Sequence, residues 1–328
     1  MNEALNQRLD QAAPATFSST AIIKEIGRGK HGARNMARGD AHALYMAMQL
    51  GQVSDLELGA ILIALRIKGE SVEEIAGFLQ AAQEQIAPLP LPGANYAPVI
   101  IPCYNGARKV ANLTPLLALL LAREGVPVLM HGVTHDPGRV TSAEILQQLA
   151  YRLADSAEQA NQDLASQRLA FMPIQILAPK MANLLNLRAR LGLRNSTHTL
   201  VKLLQPFAGA ALRLSSYTHP EYLAMLTDYF RHAAPFEEGD VFLMRGTEGE
   251  TVANAKRANQ IEWFHAGQRT VLVEKQAPVD DWPPMPAERD AATTAAWIAA
   301  ALRGEQPVPG PIQEQVAHCL RVAQGLKP

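Results

Sequence analysis

The stretch GQVSDLELGAILIALRIKGESVEEIAG, residues Gly51 to Gly77, decides the fold. Ser54 and Glu57 stand three apart in it, and so do Ser71 and Glu74. Each pair makes a Ser-x-x-Glu capping box, in which hydroxyl and carboxylate satisfy two free amides at a helix start. Behind the first box, Leu58, Ile61, Leu62 and Leu65 have the spacing of a buried helical face. Gly69 is placed to stop that helix, and the second box leads into Ile75, Phe78 and Leu79. Upstream, Asp40 reads as the cap of a helix carrying Leu44 and Met48. Three short helices joined by tight turns predict a small helical lobe.

Downstream, Pro88, Pro90, Pro92 and Gly93 break the pattern, so a boundary is placed between domains 1–92 and 93–328. Next come a short apolar strand (98–102), a polar loop (103–109), a helix (about 114–124) and a second strand (126–130). This strand–helix–strand order predicts an α/β unit with parallel pairing. Further strands are expected at 171–177, 209–215, 241–244 and 270–273. Further helices are expected at about 142–154, 181–191, 220–232 and 289–302. Residues 278–286 read as a surface loop.

The chain has 328 residues, 48% hydrophobic and 19% charged. That supports a large core and excludes a disordered chain. Two cysteines, Cys103 and Cys319, are too few for a disulfide scaffold or a structural zinc site. Residues 1–19 contain acids and no apolar core, unlike a secretory signal. No purely apolar run, Leu116 to Ala122 among them, approaches the roughly 20 residues that span a bilayer. A cytoplasmic protein without a membrane partner is expected.

Thirty Lys+Arg oppose 31 Asp+Glu, which excludes a wholly cationic protein. The distribution is uneven. Between Asp163 and Glu221 there is no acid, but there are seven cations: Arg168, Lys180, Arg188, Arg190, Arg194, Lys202 and Arg213. Lys24, Arg28, Lys30, Arg34 and Arg38 face only Glu25 within their own segment. Basic zones therefore sit on an otherwise acidic body.

Residues 51–77 resemble the N-terminal helical domain of the anthranilate phosphoribosyltransferase family. The likeness continues at Asn112-Leu113-Thr114, at 125–128, at His131-Gly132, at 142–146, at 178–180 and at 191–194. It implies a small N-terminal α-helical domain joined to a larger α/β domain, whose mixed, largely parallel central sheet is surrounded by helices. It also implies that helices near 160–190 return to the helical domain, and that homodimers form through that domain.

The resemblance breaks at the residues of phosphoribosyl chemistry. The family's Gly-Thr-Gly-Gly-Asp-Gly loop for phosphoribosyl pyrophosphate is here Pro102-Cys103-Tyr104-Asn105-Gly106-Ala107. Glycines suit such a loop because backbone must approach phosphate closely. Pro102 has no amide to donate, and Tyr104 adds bulk. Arg108 and Lys109 follow instead. Met130 replaces the family lysine before His-Gly, Arg139 stands where a second lysine falls, and Lys202 has entered a segment lacking it in the family. The magnesium-holding acidic pair aligns near Thr251-Val252, with only Glu248 and Glu250 close by.

Asn105, Gly106, Asn112, Thr114, His131 and Gly132 therefore read as vestiges of a phosphate site. No catalytic residue, metal or cofactor is expected. The simpler reading makes Asn105-Gly106 a turn, His131-Gly132 a strand end and Cys103 a buried filler.

One branch of the family keeps the fold without these motifs and binds nucleic acid as dimers with basic grooves. The chain is similar to that branch. The expected function is sequence-independent DNA or RNA binding by a homodimer. The expected contacts are Lys24, Arg28, Lys30, Arg34, Arg38, Arg108, Lys109, Arg139, Lys180, Arg188, Arg190, Arg194 and Lys202. Against this, Arg188 and Arg190 could serve only the helix dipole before Gly192, and residues 27–38 could be a solvated loop. Aromatic residues are 5% of the chain, so phosphate contact is expected over base stacking. The alternative is a phosphoribosyltransferase, hence a glycosyltransferase, with an unidentified acceptor.

Overall fold

A computed structural model describes residues 17–29, 31–278 and 282–326. Both capping boxes close. Ser54 caps helix Asp55–Lys68, and Ser71 caps helix Val72–Gln83, each with its reciprocal glutamate bond. Gly69 ends the first of these with φ +79°, as its position required. Helix Arg38–Gln49 differs from expectation. It begins two residues before Asp40, which lies in its first turn while Ala37 flanks the start without a side-chain cap. An acid there still suits the positive helix end. Where this helix crosses Val72–Gln83, a Cβ on Gly77 would lie 2.3 Å from the Arg38 carbonyl oxygen, so only glycine admits the contact.

Seven strands form one sheet in the order β3-β2-β1-β4-β5-β6-β7. They are β1 (Val99–Cys103), β2 (Val128–Gly132), β3 (Leu169–Pro173), β4 (Ala211–Ser216), β5 (Gly239–Met244), β6 (Ile261–His265) and β7 (Gln268–Val273). The first five pair in parallel, and β6 and β7 add an antiparallel hairpin. β1, β2 and β4 are buried along their whole length, which suits the apolar runs Val99–Ile101 and Val128–Met130, whereas β4 also buries the polar Arg213, Ser215 and Ser216.

Several boundaries shift. Residues Ile174–Leu177 are helical rather than a continuation of β3, since a short apolar run does not itself choose between strand and helix. The helix expected at 181–191 divides into Pro179–Asn186 and Arg188–Leu191. The one expected at 142–154 stops at Gln148, just before Ala150 takes φ +63°. β6 and helix Gly310–Gly325 were not anticipated, although Pro311 near its start is a recognisable signal for the latter.

Apolar side chains gather into two clusters. One joins Leu44, Ile61 and Phe78 of the N-terminal helices to Leu164, Met181 and Leu184, and to Ile100 and Leu129 of the sheet. The other joins Leu116, Leu117 and Ile298 to Ile101, Met130 and Phe242. Successive residues of β1 thus feed opposite clusters, as the two-residue strand period requires. No described helix is long and apolar enough to cross a membrane.

Chain order reverses between neighbours β1 and β4. The crevice beyond the carboxyl ends of the strands at such a switch point is where open α/β sheets bind ligands. The loops after β1, β2, β4 and β5 all open there.

Candidate nucleic-acid interface

The loop leaving β1 is closed by the chain's own carboxylates. Glu250 Oε1 accepts from the amides of Asn105 (2.7 Å) and Gly106 (2.6 Å). The Glu248 carboxylate accepts from the amides of Arg108, Lys109 and Val110, at 3.3, 2.7 and 3.0 Å. Asn105 Nδ2 donates to the Gly249 carbonyl. Gly106 sits at φ +61°, the left-handed conformation that turns successive amides toward one anion. Burial pushes the Glu250 carboxyl upward, opposed by those two amides, Lys202 and Arg139.

Around this closed nest stand cations. Arg139 Nη1 donates to the Gly106 carbonyl at 3.2 Å and lies 3.7 Å from Glu248. Lys202 Nζ donates to Gly249 O (3.2 Å) and to Ser216 Oγ (3.3 Å) at the end of β4. Burial lowers Lys202 to about 8, with Arg194 adding to the fall and Glu250 resisting it.

The cleft beyond holds two adjoining cavities that share His198. One, of about 100 Å³, is lined by Arg66, Arg194, His198, Lys202, His219 and Tyr222 among others. The second, of about 330 Å³, includes Tyr104, His135, Asp136 and Arg188. Burial and the charges of Arg188 and Arg139 hold the Arg194 guanidinium below its ordinary range. Burial, then Arg194, lowers His198 to about 3, so it is neutral at physiological pH. Asp136 pairs with Arg188 at 3.4 Å and is the acid among the cleft-lining residues. The described cleft therefore has a cationic excess.

The matching family model, a glycosyl transferase family helical bundle domain, covers residues 20–86. A relative from Escherichia coli K12, the uncharacterized protein YbiB, is 46% identical over 305 residues, which is 93% of each chain. The anthranilate phosphoribosyltransferase of Persephonella marina is 31% identical over 195 residues, 59% of this chain and 57% of that enzyme. The chain belongs to the anthranilate phosphoribosyltransferase-like family. In fold it is similar to the Thermus thermophilus enzyme, with a TM-score of 0.70 at 23% identity over 93% of this chain and 88% of that one. The Saccharomyces cerevisiae enzyme, solved with PRPP and Mg, gives 0.70 at 14% identity over 95% and 91%.

Against this TrpD-like frame the expected vestigial residues take structural parts. Asn112 Nδ2 donates to Val140 O and Ser142 Oγ, and its Oδ1 accepts from the Thr114 amide. His131 is fully buried, lowered by burial to about 3, and its Nδ1 lies 2.7 Å from the Tyr104 hydroxyl. At Gly132 a Cβ would lie 1.9 Å from the Cys103 carbonyl oxygen, so the strands need glycine there. Cys103 is buried and its thiol is pushed well up, which suits filler rather than nucleophile.

The family's magnesium does not fit the donors present. Glu248 accepts the amides of Arg108, Lys109 and Val110, and Glu250 Oε1 those of Asn105 and Gly106. The buried Glu250 Oε2, without a partner among the described residues, belongs to a carboxylate flanked by the cations Lys202 and Arg139. That is a poor place for a divalent ion that takes several hard oxygens. Among the described residues no group of three or more His, Cys, Asp or Glu could hold a metal ion.

The expected basic residues do not all converge. Arg139, Arg188, Arg194 and Lys202 meet in the cleft. Arg190 instead reaches exposed Asp55 at 3.5 Å on the helical side, and Lys180 Nζ bonds Gln85 Oε1. Arg188 and Arg190 do lie in a last turn ending at left-handed Gly192, as the dipole reading supposed. Arg213, counted in the acid-free stretch, is buried against Glu238. A stretch lacking acids in sequence thus still finds them in space. Arg28 and Arg34 both pair with Glu25, Arg38 and Lys24 are exposed on helices, and Lys30 lies outside the described residues. Arg108 and Lys109 are exposed on the far side of Glu248. Arg66 was missed. It closes a helix 128 residues before Arg194, and no local pattern announces that meeting.

Proposed function

We propose that this chain binds nucleic acid, DNA or RNA, without sequence preference, through the cleft formed by Arg66, Arg139, Arg188, Arg194 and Lys202. One observation carries the reading. The amides that would cradle a phosphoribosyl phosphate already hold Glu248 and Glu250, while the surrounding cations still face an open cleft. A phosphodiester backbone needs cations spread along a groove and no deep pocket, and it supplies affinity through counterion release.

The protein works as a homodimer in this reading. Ile23, Leu56, Ile63, Ile67 and Leu191 line a broad apolar groove on the helical lobe, with Leu56 85% exposed. Exposed apolar patches of this kind commonly mark interfaces, and a second copy would present two clefts.

The test is fluorescence anisotropy with duplexes and single strands of unrelated sequence across a salt series. With four phosphates neutralised, log K should fall against log salt with a slope of roughly −3 to −4. Absence of binding at low salt overturns the reading. The second reading, a phosphoribosyltransferase with an unidentified acceptor, draws on the sequence match to that enzyme. Saturable calorimetric binding of phosphoribosyl pyrophosphate with magnesium, lost in Asn112→Ala, would favour it over the first.

A further inference from the structure

A separate cavity of about 280 Å³ lies beyond the loops that carry Lys109 and Lys256, away from the cleft residues. Its walls combine apolar residues, Leu113 and Met285 among them, with cationic side chains. Trp282 is 37% exposed at its mouth, and Lys256 Nζ stands 3.9 Å from the centre of the indole ring. Arg289 Nη1 donates to the carbonyls of Arg108 (3.1 Å) and Lys109 (3.4 Å), so Arg289 and Lys109 mark one region of the cavity. Trp297 Nε1 donates to Pro284 O at 3.0 Å and fixes the segment after Trp282. No acid is among the described residues that line the cavity.

A large exposed indole held beside a cavity with three cations, and with no acid among its described lining residues, has no evident structural purpose. An aromatic face offers stacking to a planar ring, and such stacking tolerates any base. The cations Arg289 and Lys109 suit an anion carrying close to two negative charges, as a phosphate monoester does, better than a single carboxylate. Lys256 lines the same cavity and adds a third cation to it. We propose that this cavity binds a nucleoside monophosphate, with the base stacked on Trp282 and the phosphate held by Arg289, Lys109 and Lys256. No described residue lines both this cavity and the cavities of the cleft. The nucleotide is either free or the 5′-phosphorylated end of a strand, and both present the same chemistry.

Calorimetry on the full chain tests this with AMP, adenosine, inorganic phosphate and a 5′-phosphorylated trinucleotide. AMP should saturate one site per chain, and adenosine or phosphate alone should bind at least about ten-fold more weakly. Trp282→Leu should weaken AMP binding about ten-fold, and Lys256→Glu, on an exposed side chain, should do likewise. Trp282→Leu should leave duplex binding in the cleft within about two-fold, which separates this site from the proposed nucleic-acid function. A trinucleotide much tighter than AMP identifies a strand end as the occupant, and equal affinity identifies the free nucleotide. No saturable binding of AMP or trinucleotide up to about 1 mM overturns the proposal. So does AMP binding that both variants leave intact.

Discussion

Glu250 and Gly106 meet through a 2.6 Å hydrogen bond from the Gly106 amide to Oε1, and the same oxygen takes the Asn105 amide. The carboxylate thus stands where the loop geometry would otherwise gather a phosphate. Glu250→Gln keeps an acceptor oxygen for those amides and removes a buried charge, so it should cost less than about 1.5 kcal/mol. Glu250→Ala leaves two buried donors unsatisfied and should cost about 2–4 kcal/mol. Urea unfolding compares the two, and equal losses would show that the amides do not depend on this side chain. Removing the charge from a cationic cleft should also tighten DNA binding several-fold in Glu250→Gln.

Lys202 sets the pH response of that cleft. Its amine falls from the ordinary 10.5 to about 8 because burial penalises the ammonium. Above pH 8 the native chain is neutral there while the unfolded chain keeps its proton to about 10.5. This group's contribution to stability is therefore present above the unfolded value and lost as pH falls through about 8. Binding has the opposite sign, since only the ammonium attracts phosphate. DNA affinity should hold from pH 6 to 7 and decline between pH 7 and 9, with proton uptake on binding near pH 8. Lys202→Arg should flatten the decline. His198, neutral because burial lowers it to about 3, adds no change across the upper range. An unchanged decline in Lys202→Arg would assign the effect elsewhere.

Charge reversals separate convergence from composition. Arg194→Glu and Lys202→Glu alter residues that feel each other's field in the cleft. Each should weaken DNA of any sequence and reduce the salt slope by about one or two. Arg190→Glu should change little, because Arg190 points to Asp55 on the helical side. If Arg190→Glu weakens binding as much as Arg194→Glu, the site follows the acid-free stretch of sequence rather than the cleft.

Local chemistry made much of the fold legible. The Ser54–Glu57 and Ser71–Glu74 boxes are complete within four residues, so helix starts could be read directly. Strand and helix boundaries were less legible where apolar runs suit both states, as at Ile174–Leu177. Asp40 misled because an acid in a first turn and an acid at a cap look alike in sequence. The cleft was least legible. Arg213 belongs to the same acid-free run as Arg194, yet it pairs with Glu238 in the interior. Arg66 comes from the helical lobe and Glu250 from the loop after β5. Only the topology that sets β4 beside β1 brings them near Lys202 and Gly106.

The helical lobe has its own ionic anchor. Glu74, fully buried, takes the Met36 amide (2.9 Å) on one oxygen and both Lys68 Nζ (2.6 Å) and the Ser71 amide (2.8 Å) on the other. The side chain therefore joins the end of one helix, the start of the next and the segment leading to Arg38–Gln49. Lys68 is 5% exposed at its side chain, so removing Glu74 strands a buried cation as well as two amides. Glu74→Ala should cost about 3–5 kcal/mol, the range for breaking a buried pair from one side. Pairing it with Lys68→Met should restore part of the loss, because the uncompensated charge is then gone while the amides stay unsatisfied. Urea unfolding of the single and double variants measures the coupling. Strict additivity of the two substitutions would mean that Lys68 and Glu74 do not depend on each other, and the lobe would then be held by its apolar contacts alone.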